Sequence, residues 1–144
     1  MKHITNIRKA VCTIANNLHK SGLSLSEAFR KAWSQVRETT FRVTGVTHAG
    51  RQDRLRILDN FRKDDLEVGF IRDRENSFDR NAIKVLVMIK SLRKYTEVGY
   101  IPRALAERLA PVMDKGIRIR AELGGILGGY GDKENYGMLV RAAV

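Results

Sequence analysis

The sequence predicts a mainly β chain of the α+β class: a small β-barrel with one or two packed helices, behind an N-terminal helical hairpin. Three observations carry this. Apolar residues recur at spacings of three and four up to residue 38, and at a spacing of two after it. The alternating runs that follow are short and lack the strand–helix–strand rhythm of a parallel sheet, which favours a barrel over a doubly wound fold. Hydrophobic residues make up 43% of the 144, enough for a core and too many for a disordered polymer. The expected division is a helical hairpin over residues 1–39 and a β-barrel domain over 40–144.

In the first helix Ile4, Ile7, Val11, Ile14 and Leu18 fall on one face, and Gly22 supplies a stop. Ser24-Leu25-Ser26-Glu27 reads as a capping box that opens the second helix. Its apolar face is Leu25, Ala28, Phe29, Ala32, Trp33 and Val36. A DNA-reading helix-turn-helix is the sharper interpretation of this hairpin. A packing or dimerising appendage is favoured, because the first helix is long and the second is not unusually basic. Phe41 and Val43 begin strand-like alternation. Residues 55–61 read as a short helix or an irregular turn. Leu66, Val68 and Phe70 mark a second strand. Residues 82–89 form a third, apolar on both faces toward its end and therefore central. Residues 98–101 give a short fourth. Pro102 suits the first turn of a helix with Leu105, Leu109, Val112 and Met113 on its apolar face, Gly116 at its end and Pro111 expected to kink or shorten it. Ile117, Ile119, Ala121 and Leu123 alternate as a fifth strand, and residues 135–144 form the last. The glycine-rich run 124–131 lacks the Gly-Lys-Ser/Thr ending of a phosphate loop and reads as a flexible hairpin connection with Tyr130 at its tip.

Charge narrows the function. There are 27 Lys+Arg against 16 Asp+Glu, a net charge of +11 and a pI of about 10.2, which points to a polyanionic partner. Cys12 is the single cysteine, so neither an internal disulfide nor a cysteine zinc site is expected. His3, His19 and His48 are scattered and make no zinc signature. No apolar run approaches the ~20 residues of a membrane span, and the first residues lack the pattern of a secretory signal. The chain reads as cytoplasmic and nucleoid-associated, without cofactor or metal.

The most informative stretch lies between the second and third strands. Arg72-Asp73-Arg74-Glu75-Asn76-Ser77-Phe78-Asp79-Arg80-Asn81 is too long for a tight hairpin turn and carries an aromatic beside a carboxylate. A loop that grips a nucleotide has use for both: the ring stacks a base, the acid accepts from a sugar hydroxyl, and arginines hold phosphate. His48, in the Gly45–Gly50 turn, could stack on a base or bond a phosphate, and Arg51, Arg54 and Arg56 follow it. Asp73, Glu75 and Asp79 fit no EF-hand, and no further carboxylate completes a two-metal site. No nucleophile constellation stands out, so catalysis is not expected.

Three motifs in order carry a resemblance: Phe-Arg-Val-Thr-Gly-Val-Thr-His-Ala-Gly-Arg-Gln (41–52), Arg-Asp-Arg-Glu-Asn-Ser-Phe-Asp-Arg-Asn-Ala-Ile-Lys-Val (72–85) and Val-Gly-Tyr-Ile-Pro-Arg-Ala-Leu-Ala (98–106). Residues 40–144 resemble the HIRAN domain, which occurs at the front of eukaryotic helicase-like translocases and as a small stand-alone protein in bacteria and phages. The resemblance implies an OB-like or SH3-like β-barrel that binds single-stranded DNA and captures a free 3′-hydroxyl end, in a setting of DNA repair or the replication fork. By position it implies base-stacking roles for His48 and Phe78, contact of Asp79 with the terminal hydroxyl and of Asn76 with the same nucleotide. It places Tyr100 and Arg103 on the backbone of the strand. Ser77 and Arg74 stand where the family has prolines. Arg51, Arg72, Lys84 and Arg103 are the cations expected to supply the salt-sensitive part of binding. Two other readings remain: a metal-dependent nuclease or phosphohydrolase using Asp73 and Asp79, and an interaction adaptor whose N-terminal helices dock a larger DNA-processing protein or form a homodimer.

Overall fold

The computed structural model describes residues 2–35, 39–129 and 135–143, with side chains described from residue 7 onward and through residue 34 in the first stretch. Ile4, Val36 and the tip residues Tyr130 and Gly131, all singled out above, lie outside the described residues or side chains. Six strands form two three-stranded antiparallel sheets, and four α-helices accompany them. The chain is thus mainly β within the α+β class, as its sequence predicts.

Helix α1 (Lys2–Lys20) and helix α2 (Leu25–Gln35) form the hairpin. The turn between them follows from local chemistry. Gly22 sits at φ 114, and Leu23 N–H reaches back to the Leu18 carbonyl at 3.3 Å, the pattern of a glycine-terminated helix. The Ser24 hydroxyl donates to Glu27 at 2.9 Å, and the Glu27 N–H faces the Ser24 oxygen at 3.4 Å, so the capping box is present. Val11 and Ile14 are buried, with Ala28 and Ala32 of α2. Leu25 and Trp33, expected on the buried face, are instead about half exposed. The helices meet through alanines, whose small size brings the axes close along the 28–32 line and leaves the larger residues outside it.

Strand β1 (Thr39–Arg42) pairs with β6 (Gly137–Ala143), which pairs with β5 (Arg120–Leu127). Strand β3 (Ile83–Ile89) lies between β2 (Leu66–Arg72) and β4 (Lys94–Tyr100), and is central as expected. Its Ile83, Val85, Val87 and Ile89 are all buried, each contributing about 1.5–3 kcal/mol of apolar burial. The sheets are stitched where Thr44, just past β1, exchanges both backbone hydrogen bonds with Tyr100 at 2.9 Å. Phe41 and Phe70 meet across the interior with ring centroids 6.0 Å apart. Among the described residues no ladder joins β2 to β5, so the barrel is hydrogen-bonded on one side and open on the other.

Helix α3 (Arg51–Leu58) resolves the helix-or-turn alternative for the segment after the first strand. Helix α4 (Arg103–Asp114) packs against α1 and ends at Gly116, φ 78. It runs three residues past Pro111. A proline so near the end of a helix removes a single intrahelical bond.

Three boundaries differ from expectation. β4 starts at Lys94, because Lys94, Tyr95 and Thr96 find partners on β3. β5 starts at Arg120, not Ile117; among the described residues its first partner on β6 is Ala143, opposite Arg120. The first glycines of the 124–131 run are not a connection but a bulge inside β5, where the register shifts between Leu123 and Gly125. Gly124 lies so close to Leu139 that a Cβ would stand 3.0 Å from its carbonyl oxygen. The buried side chains of the hairpin, both sheets and α4 form one continuous core.

Candidate nucleic-acid interface

The loop between β2 and β3 is held at its base and shaped at its tip. At the base, Asp73 N–H donates to the Ala82 carbonyl at 2.9 Å. The Arg72 guanidinium donates to the Ala82 carbonyl at 2.7 Å, the Arg80 carbonyl at 3.0 Å and the Asp114 carboxylate of α4 at 3.0 Å. Arg74 reaches the same carboxylate at 2.9 Å. At the tip, Asn76 Oδ1 accepts from the N–H groups of Phe78 (2.9 Å) and Asp79 (3.0 Å), and Asp79 Oδ1 accepts from Asn81 N–H at 2.9 Å. Short amide and carboxylate side chains replace sheet pairing where the chain must turn.

The result is an ordered loop that presents Phe78 to solvent, with 89% of the residue exposed. A lone exposed apolar side chain is ordinary. Phe78 stands apart because the backbone that carries it is pinned on both sides, so the ring is offered from a defined place. Asp79 beside it is half-buried, and its Oδ2 has no partner among the described residues.

A second group converges on Tyr100, at the end of β4. Its hydroxyl donates to Asp73 Oδ2 at 2.8 Å, and Arg51 lies over its ring at 5.2 Å from the centroid. Arg51 is buried; it donates to the Gly45 carbonyl at 2.8 Å and pairs with Glu97 at 2.7 Å. Lys84, opposite Tyr100 in the ladder, lies 3.7 Å from Glu97. The hydrogen bond from Tyr100 holds the Asp73 carboxyl below its ordinary value, helped by Asn76 and Lys84 against the cost of burial. Burial first, and Asp73 second, push the Tyr100 phenol up. At neutral pH the pair is therefore a phenol donating to a carboxylate.

The sequence-predicted residues separate into groups. Asn76, Phe78 and Asp79 share the loop tip. Tyr100, Lys84 and Arg51 share the floor beside it. Arg72 and Arg51 are both engaged with protein oxygens, Arg72 through all three guanidinium nitrogens. His48 is exposed on the Gly45–Gly50 turn, and Arg103 is exposed at the start of α4. Two residues were missed. Asp73 was considered only as a metal ligand, yet it is the acid that Tyr100 contacts. Glu97 was not considered, yet it binds Arg51 and, through its carbonyl, Arg54 at 2.9 Å. Residues three apart on a regular strand face opposite ways. A bulge at Val98, where Val85 pairs with Gly99 and Leu86 with Glu97, turns Glu97 and Tyr100 to the same arginine. No signal in the sequence marks that bulge except the glycine at 99.

Among the described residues no group of three or more His, Cys, Asp or Glu side chains could hold a metal ion, and no helix is long and apolar enough to cross a membrane. A small β module with a basic surface, a pinned aromatic and polar acceptors beside it belongs to the class of nucleic-acid-binding modules. The model of the HIRAN domain family matches residues 36–126, and the chain belongs to that family. Membership makes it a DNA-binding module. The matched range ends inside β5, whereas the fold continues into β6, the strand that joins β5 to β1. A crystal structure of a protein from Lactobacillus plantarum is similar at 23% identity and a TM-score of 0.47, covering 74% of this chain and 99% of the other. No curated protein matches the sequence.

Proposed function

We propose that this module binds single-stranded DNA at a free 3′ end, without catalysis, and so acts where such ends arise in repair or at replication forks. The observation that carries the reading is the 89% exposure of Phe78 on a loop fixed by Arg72 and Asn76. A base stacked on that ring meets a platform whose position is already set, so little ordering cost is added on binding. The free Oδ2 of Asp79 is suited to accept a terminal sugar hydroxyl, and exposed Arg103 and His48 are suited to the phosphates behind it. Asp73 is engaged by Tyr100 and Asp79 by Asn81, which supports binding rather than metal-assisted hydrolysis.

The test compares one labelled oligonucleotide ending in a 3′-hydroxyl with the same strand ending in a 3′-phosphate. A carboxylate facing the terminus should weaken the phosphate form about tenfold or more through like-charge repulsion. Equal affinities would remove end capture and leave general single-strand binding. Cleavage of either strand with Mg²⁺ or Mn²⁺ present would overturn the non-catalytic part.

A further inference from the structure

A cavity of about 520 Å³ lies where α1 of the hairpin meets α4 and the C-terminal end of the Phe78 loop. Its size falls within the range of small-ligand sites. Its walls are chemically divided. Ile14 and Leu18 of α1, with Ala104 and Pro111 of α4, supply apolar surface. Arg80 of the loop and Arg108 of α4 bring cations to it. Among the described residues neither arginine has an ion-pair partner, in contrast to Arg51, Arg72 and Arg74. Asn17 and Asn81 add amides, and Glu107 is the single acid in the lining. Apolar walls with amide edges and two unpaired guanidiniums suit a nucleotide: the base against the aliphatic wall, its polar edge on the amides, its phosphate on the arginines.

The position matters as much as the lining. Arg80 follows Phe78 by two residues, so their Cα atoms are no more than about 7 Å apart. A strand stacked on Phe78 therefore has the Arg80 edge of this cavity within reach. The α1 wall comes from residues that precede the family match at residue 36. We propose that the N-terminal hairpin completes a second nucleotide subsite on this chain, which takes an internal nucleotide of the strand whose end sits at Phe78. The proposal rests on the reading of Phe78 as the end-binding platform.

The test uses the full chain and two oligothymidylates with free 3′ ends, a dimer and an octamer. Two substitutions at exposed α4 positions address the cavity: Ala104→Trp fills it and Arg108→Glu reverses one cation. Melting curves of both variants verify folding. Each should weaken octamer binding roughly tenfold, the scale of one lost stacking or phosphate contact, while dimer binding stays within twofold. Arg108→Glu should also flatten the octamer's log–log salt slope by about 0.7. Octamer affinities within twofold of the parent for both folded variants would overturn the subsite. Loss of octamer binding in these variants with none in Phe78→Ala would instead overturn the platform reading and leave the cavity as the DNA site.

Discussion

Replacing Phe78 by alanine separates binding from folding more cleanly than any other change in this chain. The side chain is 89% exposed, so its removal leaves no cavity, and the unfolding free energy should move by no more than about 0.5 kcal/mol. Binding should respond on another scale. Base–aromatic stacking contributes about 1–3 kcal/mol, a loss of roughly fivefold to 150-fold in Kd. Asn76→Ala supplies the coupled control. It strips the acceptor from the N–H groups of Phe78 and Asp79, both near solvent, where water can replace it at a cost of about 1 kcal/mol. The ring remains but is no longer aimed. Fluorescence anisotropy of a labelled octathymidylate, at one salt concentration for all four proteins, completes a double-mutant cycle. If Asn76 works by presenting Phe78, its substitution should matter in the parent and hardly at all once Phe78 is gone. Parent-like affinity in Phe78→Ala would refute the stacking platform. Strict additivity would refute the claim that Asn76 acts through it.

Arg72→Ala should lower stability by about 2–3 kcal/mol in a denaturant titration, because a side chain only 11% exposed loses three bonds to protein oxygens; lysine, with no planar fork, should restore only part of it. Gly99→Ala should be among the most damaging single changes, about 3 kcal/mol or more, since a Cβ there meets the Thr44 carbonyl oxygen and Val43 Cγ1 at the stitch between the sheets; a melting temperature within about 2 °C of the parent would contradict that packing. The Asp73–Tyr100 pair predicts a pH signature. Asp73 is lowered in the folded state, so its contribution is present above about pH 4 and lost as pH falls through the folded value; Tyr100 is raised, so its contribution is present below about pH 10 and lost as pH rises through its folded value. The stability difference between parent and Tyr100→Phe should therefore be flat between these limits and shrink outside them, and a difference that did not vary with pH would sink the pairing.

What the sequence disclosed and what it hid follow different physics. The hairpin turn, β2, β3 and α4 were legible because their signals are local: a capping box, a glycine stop, apolar alternation and a proline in the first turn. The ends of β4 and β5 were not, because a strand extends only as far as its partner, and partners are set by tertiary pairing. Leu25 and Trp33 show the same limit, since periodicity identifies an apolar face without saying which part of it a neighbour covers. In the site, the loop tip could be read directly, since Asn76, Phe78 and Asp79 interact within a few residues. The floor could not. Asp73 and Tyr100 are 27 residues apart, and Arg51 and Glu97 are 46 apart, joined only by folding.

That division bears on the meaning of the net charge of +11. A basic composition says that a polyanion is attracted, not which cations touch it. The sequence places Arg51 and Arg72 among the expected phosphate ligands, with Lys84 and Arg103, and Arg74 lies beside Arg72 in the same loop. In the fold Arg51, Arg72 and Arg74 each face a carboxylate, and Arg51 and Arg72 also bind backbone carbonyls, so moving them to a phosphate would strand part-buried acceptors. Their work is to hold the loops still. Among the described residues Arg80, Arg103 and Arg108 are three of the many cations without an ion-pair partner. All three belong to α4 or to the loop end that lies against it. The charge that attracts a polyanion is thus spread through the chain, and Arg80, Arg103 and Arg108 are the part of it on α4 and the loop end beside it, where α1 packs. On the subsite proposed above, the hairpin belongs in the account of the interface rather than beside it.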